Sequence, residues 1–162
     1  MAYRNKTYVA FDGDNDITYY YLMKAWKAND NNDFDFHNAH DLNTARDSSQ
    51  EESIKSQLRV RMQNSKMFVL LVGDKTKYLT KFVKWEVESA IRREIPIAVV
   101  YLKDYSRFDE KMCPTWLNNV LSIHIPFKKT ILQYVIDNWP TVSKQKEDKG
   151  HYWYSDDFVN SL

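Results

Sequence analysis

Hydrophobic and polar residues follow two rhythms along this chain. Short, continuous apolar runs rich in β-branched and aromatic residues occur at 7–11 (TYVAF), 67–72 (MFVLLV) and 97–102 (IAVVYL), and they read as strands. Phe34–Phe36 and Ser122–Ile125 are weaker candidates of the same kind. Between them the apolar positions recur at helical spacing: Tyr19, Leu22, Met23 and Trp26; Ile54, Leu58 and Met62; the segment from Phe82 to Glu94, closed by Pro96; and Ile131, Leu132, Val135, Ile136 and Trp139, ended by Pro140. Asp16 is placed to cap the first helix, and Ser48 and Ser49 ahead of Glu51 and Glu52 mark the start of the second. Pro114 opens a short turn of helix with Trp116 and Leu117. Strands that alternate with helices and are apolar throughout imply a parallel sheet covered on both faces. The expected fold is α/β: a flavodoxin-like, doubly wound open sheet of about five parallel strands. Residues 1–140 form the domain, and the polar tail 141–162, with its aromatic cluster HYWY, docks on it or on a partner.

One helix breaks its own pattern. With Phe82 at 0° and about 100° per residue, Ala90, Val83, Val87 and Ile91 fall at about 80°, 100°, 140° and 180°, and Glu86 falls at about 40°, within the apolar arc. Glu88, at about 240°, lies with Lys84 and Arg92 on the polar side. Glu86 has Val83, Phe82, Ser89 and Ala90 at its i±3 and i±4 positions, so no local cation serves it. A carboxylate on the core side is costly unless something pairs with it. Glu86 therefore either meets a distant basic residue or lines a pocket, and the second reading makes it a candidate functional acid. Trp85, at about 300°, faces away from the arc and reads first as a packing residue against a neighbour. In open sheets of this type ligands bind beyond the carboxyl ends of the strands, here the loops 12–16, 37–50, 73–81 and 103–113, and Glu86 lies early in the helix that leaves that edge.

Composition narrows the function classes. Hydrophobic content of 43% with 15% aromatics argues for a folded globule, and a net charge of +1 gives no electrostatic case for nucleic acid or a membrane surface. No apolar run is long enough to span a bilayer, no signal-peptide core precedes the first strand, and the single cysteine, Cys113, excludes an internal disulfide; a cytoplasmic protein is expected. Three glycines cannot assemble a phosphate-cradling loop. A calcium loop starting at Asp12 would need Gly and Glu where Ile17 and Met23 stand, so DGDND reads as a carboxylate-rich turn at a helix start. His37, His40, Asp35 and Asp41 are spaced too loosely for a metal site, and Cys113 has no histidine near it in sequence. A phospho-receiver site would use Asp12, Asp14 and Asp74, but Asp74 follows Gly73 beyond its strand and no Lys-Pro pair ends a later one.

The ordered set VAF, MFVLLVG, DKTKYLTK, FVKWE and IPIAVVYL resembles the bacterial TIR-like proteins of the Thoeris anti-phage defence system, over roughly residues 5–105. In that family a W-V-x-[YW]-E segment carries the catalytic glutamate; Phe82, Val83, Lys84, Trp85 and Glu86 match it, with Phe82 in place of the usual Trp and the acidic DGDND in place of a Ser-Phe-type loop. The resemblance implies an NAD nucleosidase or ADP-ribosyl cyclase. Such an enzyme cleaves NAD, its substrate, at the nicotinamide–ribose bond without a further cofactor or metal. The product would be a cyclic or modified ADP-ribose signal that activates a partner effector protein. Glu86 would be catalytic. Phe11, Tyr19 and Trp85 would stack on nicotinamide or adenine, and Asp12 and Asp14 would meet ribose hydroxyls or the cationic ring. The contrasting expectation is a non-catalytic TIR-like module acting through self-association.

Overall fold

The computed structural model describes residues 6–30, 36–37, 51–103 and 108–162. Strand β1 (Lys6–Ala10) leads to helix α1 (Ile17–Asp30) and to β2 (Phe36–His37). Helix α2 (Glu51–Gln63), strand β3 (Ser65–Val72), helix α3 (Val83–Arg92) and strand β4 (Ile97–Tyr101) follow, then β5 (Ser122–Pro126), α4 (Lys129–Val142), β6 (His151–Trp153) and α5 (Asp156–Ser161). All pairings are parallel, and the strand order is β2-β1-β3-β4-β5-β6. This is the doubly wound α/β sheet expected from the alternation of strand and helix patterns. The sixth strand comes from the tail: Ile123 of β5 pairs with Tyr152, so part of 141–162 continues the sheet.

Alternation along each strand sorts the core into two layers. Tyr8 and Ala10 of β1, Phe68, Leu70 and Val72 of β3, and Val99 and Tyr101 of β4 pack under α2 and α3, against Ile54, Leu58, Met62, Val83 and Val87. Val9, Val69, Leu71, Ala98, Val100, Ile123 and Ile125 face the other way, onto Tyr20 and Met23 of α1 and Ile131, Val135 and Trp139 of α4. The central strand β3 is buried along nearly its whole length, which is why it is apolar without a break from Met67 to Val72. A buried polar chain sits at the β4–β5 seam: Tyr101 hydroxyl and His124 Nδ1 are 2.8 Å apart, and His124 Nε2 and Ser122 Oγ are 2.9 Å apart. Ser122 spends its one proton on the carbonyl of Val120 at 3.1 Å, so His124 donates from Nε2 and accepts from Tyr101. Burial and the neighbouring His151 push His124 down to about 3, which keeps it in that neutral form.

Several expected boundaries move, each for a local reason. Pro140 does not end the last helix; it lies inside α4, because Trp139 is 1% exposed and anchors the turn, and the N–H of Ser143 at the helix end reaches back to Trp139 O. Ile91, placed in the apolar arc of α3, is 39% exposed; the buried arc instead takes in Ser89 and centres on Glu86. Helix α3 stops before Pro96, through a Schellman turn. Ile95 N–H donates to Ala90 O at 3.0 Å and Glu94 N–H to Ile91 O at 3.0 Å, with Glu94 at φ 55° in the left-handed region where glycine usually stands. The expected cap by Asp16 is not made: its Oδ2 has no hydrogen-bond partner. The loop carrying His40 and Asp41, the serines ahead of α2 and residues 34–35 of the expected second strand lie outside the described residues. Among the described residues, no helix is long and apolar enough to cross a membrane.

Removing the side chain that the left-handed position disfavours relieves strain without touching the core. Glu94→Gly is expected to raise unfolding stability by roughly 0.5 kcal/mol, read as a shift of the urea midpoint at unchanged slope.

Candidate functional site

The connections from β1 run to opposite sides of the sheet from those of β3, and this switch point opens a crevice at the carboxyl edge. A cleft of about 210 Å³ lies there, lined by Phe11 to Asp14 after β1 and by Tyr78 to Val83, the approach to α3. That volume is below the usual range for drug-sized ligands and accommodates one ring or sugar rather than a whole dinucleotide. Phe11 is buried and stacks on Tyr20 of α1 at 4.8 Å, so its ring is part of the core wall. The carboxylate of Asp12 is occupied inside its own loop, accepting from the backbone N–H groups of Asp14 (3.1 Å) and Asn15 (3.3 Å) and from Asn15 Nδ2 (2.7 Å). Asp14 is exposed at the rim.

Glu86 is fully buried, at 0% exposure, and is not part of the cleft lining. It lies one helical turn beyond Phe82 and Val83, which form the cleft wall, and its backbone N–H donates to Phe82 O at 2.8 Å. Tyr8, from the middle of β1, donates its hydroxyl to Glu86 Oε2 at 2.5 Å. The Tyr8 ring is itself fully buried and stacks on Phe68 at 5.3 Å and 11°. Burial, then the charge of Glu86 and the hydrogen bond to it, hold the phenol well above its ordinary range; Arg61, in the last turn of α2, acts in the opposite sense. The proton therefore stays on Tyr8, and the carboxylate is the acceptor.

Two of the aromatic candidates lie elsewhere. Trp85 packs toward α2, with Lys55 Nζ 5.3 Å and Arg59 Cζ 5.4 Å from the ring centroid. Tyr19 meets Phe127 edge-on at 5.2 Å, on the α1–α4 side of the sheet. The structure thus brings Phe11, Asp12 and Asp14 together at the cleft, sets Glu86 beneath its wall and separates Tyr19 and Trp85 from it. It adds two residues that periodicity did not single out. Tyr78 is 69% exposed at the cleft, with Lys77 5.3 Å from its ring. Lys81 brings a cation to the same rim and reaches Glu51 at 3.5 Å. The loop TKYLTK held the only hint of them, since a polar loop at a ligand edge that carries Tyr and Lys is worth reading residue by residue. Cys113 is buried and free, and burial pushes its thiol up, away from reactivity. Among the described residues no cluster of three His, Cys, Asp or Glu side chains is placed to hold a metal ion.

Next to the cleft, beyond β3, the side chain of Asp16 covers Gly73 so closely that a Cβ there would stand 2.4 Å from Oδ2. Asp16 is 4% exposed, and Lys103 pairs with Asp74 rather than with it. Burial first, and then Asp12, raise the Asp16 carboxyl from 3.8 to about 6; Lys103 opposes this and Asp74 adds to it.

A larger cavity of about 900 Å³ opens at the opposite, amino-terminal edge, with Arg93, Lys144, Lys146 and Lys149 around it. Helices α3 and α4 both end there, so cations are favoured at that edge by the helix dipoles alone.

The parallel strand order and the crevice over a buried helix-borne glutamate define a TIR-like α/β domain. The family model described as Thoeris protein ThsB, TIR-like domain, matches residues 8–107. The chain belongs to that defence-related family. The matched span runs from β1 through the segment after β4 and takes in the cleft, Tyr8 and Glu86.

The raised Asp16 carboxyl carries a sign. Its folded-state value lies above the unfolded one, so its contribution is complete below about pH 3.8 and is lost as the pH rises through about 6. The neutral isostere Asp16→Asn is expected to match wild type near pH 4 and to exceed it by on the order of 1–2 kcal/mol at pH 7.5, measured by urea unfolding at the two pH values.

Proposed function

We propose that this protein cleaves NAD at the nicotinamide–ribose bond and passes the ADP-ribosyl group on as a cyclic or otherwise modified second messenger that activates a partner effector. The observation that supports this reading is the placement of Glu86, which stands in the FVKWE segment that resembles the family's motif, one helical turn below Phe82 and Val83 of the crevice wall at the sheet's switch point. Nicotinamide in NAD is a cationic pyridinium. When the bond breaks, its electron pair goes to the ring nitrogen, nicotinamide leaves neutral, and no general acid is needed. That differs from ordinary glycosides, where two carboxylates divide the work. The positive charge develops at the ribose carbon, and one carboxylate holding the ribose hydroxyls is enough to stabilise it. Tyr78 offers an exposed ring face, Asp14 a carboxylate for hydroxyls or the pyridinium, and Lys81 a cation for the pyrophosphate, while Phe11 only walls the cleft from below. The apolar wall of Phe82 and Val83 would help keep water from the reactive carbon, as cyclisation requires.

The full burial of Glu86 favours a second reading, a TIR-like interaction module in which this carboxylate only braces α3 against β1. The two part on one measurement. Nicotinamide release is followed by chromatography for wild type and Glu86→Gln, each alone and with lysate from phage-infected cells. The enzyme reading expects a fall of at least about 100-fold in the variant, the scale set by losing one electrostatic stabiliser of a transition state. Equal rates, or none from either protein in both conditions, leave the module reading standing.

A further inference from the structure

We infer that Tyr8 is a positioning residue for Glu86: its phenol holds the carboxylate in a withdrawn position under the cleft, and ligand engagement requires that hydrogen bond to be exchanged. This rests on the reading of Glu86 as the acting carboxylate, and it names what controls it. Glu86 sits at the centre of the buried arc of α3, with none of its surface exposed. Phe82 and Val83, also buried, stand between it and the cleft. Three to four residues along a helix amount to roughly 5 Å, so the carboxylate is about one turn short of the space a ligand would occupy.

The direction of release is set by helix geometry. Side chains on a helix lean toward its amino terminus, and the amino terminus of α3 is the end that borders the cleft. A Glu86 released from the phenol has its natural path toward Phe82 and Val83, not deeper into the core. What opposes that path is specific. The phenol donates directly to the carboxyl oxygen, and the donor ring is clamped by its stack on Phe68 and by its place in β1, so it cannot follow the carboxyl group outward. Ribose hydroxyls in the cleft are chemically equivalent donors. They replace the phenol at the carboxyl group, but the buried Tyr8 hydroxyl then loses this acceptor, so the exchange draws on the binding of the substrate and is unfavourable without it. An arrangement of this kind keeps the protein silent in the absence of a bound ligand.

Carboxyl footprinting tests the inference independently of turnover. Carbodiimide with glycine ethyl ester is applied to wild type, Tyr8→Phe and Tyr8→Phe/Glu94→Gly, and modification of Glu86 is read by peptide mass spectrometry. The Glu94→Gly background supplies stability far from the site in case the single variant folds poorly. Glu86 is expected to be protected in wild type and labelled at least about tenfold faster once the phenol is gone, the factor that corresponds to losing about 1.4 kcal/mol of restraint. Unchanged protection in a folded Tyr8→Phe protein overturns the inference, because burial or other contacts would then hold the carboxylate. Nicotinamide release from the same samples separates this from the proposed activity. Release without an infection trigger is expected to rise in Tyr8→Phe and to vanish in Tyr8→Phe/Glu86→Gln. Faster labelling with no nicotinamide from any sample, either alone or with lysate from phage-infected cells, upholds the role of Tyr8 and sinks the NAD-cleaving reading.

Discussion

A carboxylate in the middle of a hydrophobic layer has to be satisfied by something, and in this protein the phenol of Tyr8 is a major part of the answer. The contact joins the middle of β1 to the first turns of α3, two elements 78 residues apart in sequence. It sets where α3 lies against the sheet, and so where Phe82 and Val83 stand, and therefore the shape of the cleft whose wall they form. An isolated buried charge is among the most costly features a fold can carry. A hydrogen bond from a clamped neutral donor lowers part of that cost.

The two edges of the sheet are electrically unlike. At the carboxyl edge stand Asp12, Asp14, Asp16 and Asp74, with Lys81 and Lys103 among them; at the amino edge stand Arg93, Lys144, Lys146 and Lys149 with Glu94. The pattern follows the helix dipoles, since in a parallel α/β sheet helix N-termini gather at one edge and C-termini at the other. Among the described residues that line the cleft, Lys81 is the cation that an anionic ligand there would meet. Asp16 goes against ease of folding: it is buried over Gly73 with one oxygen unpartnered, and nothing in the packing of α1 demands a carboxylate there. A buried carboxylate oxygen without a partner costs stability.

Much of the architecture was legible in the sequence because the signals are local. Continuous apolar runs marked β3 and β4, helical spacing marked α1 to α4, and their alternation dictated a parallel sheet covered on both faces. The misplacement of Glu86 was legible for the same reason: helical angle is a function of sequence position alone. Less legible were features that depend on stabilisation from elsewhere. Strand β6 is only 3 residues long and partly exposed, so it exists because β5 presents an edge for it. Pro140 stays helical because Trp139 is locked in the core.

What residues alone determined, then, is that one carboxylate of α3 must face inward, on a fold whose ligands gather near that helix's start. Which partner it meets was decided only in three dimensions. Tyr8 looks, in sequence, like any aromatic in an apolar strand, and its hydroxyl acquires meaning only when β1 and β3 pair in register, Tyr8 beside Phe68, and α3 packs across them. Likewise Trp85 and Tyr19 went to the α2 and α4 sides, while Tyr78 and Lys81 came to the cleft. Periodicity gives the direction of a side chain from its own element, whereas its neighbours are set by crossovers that bring distant segments together.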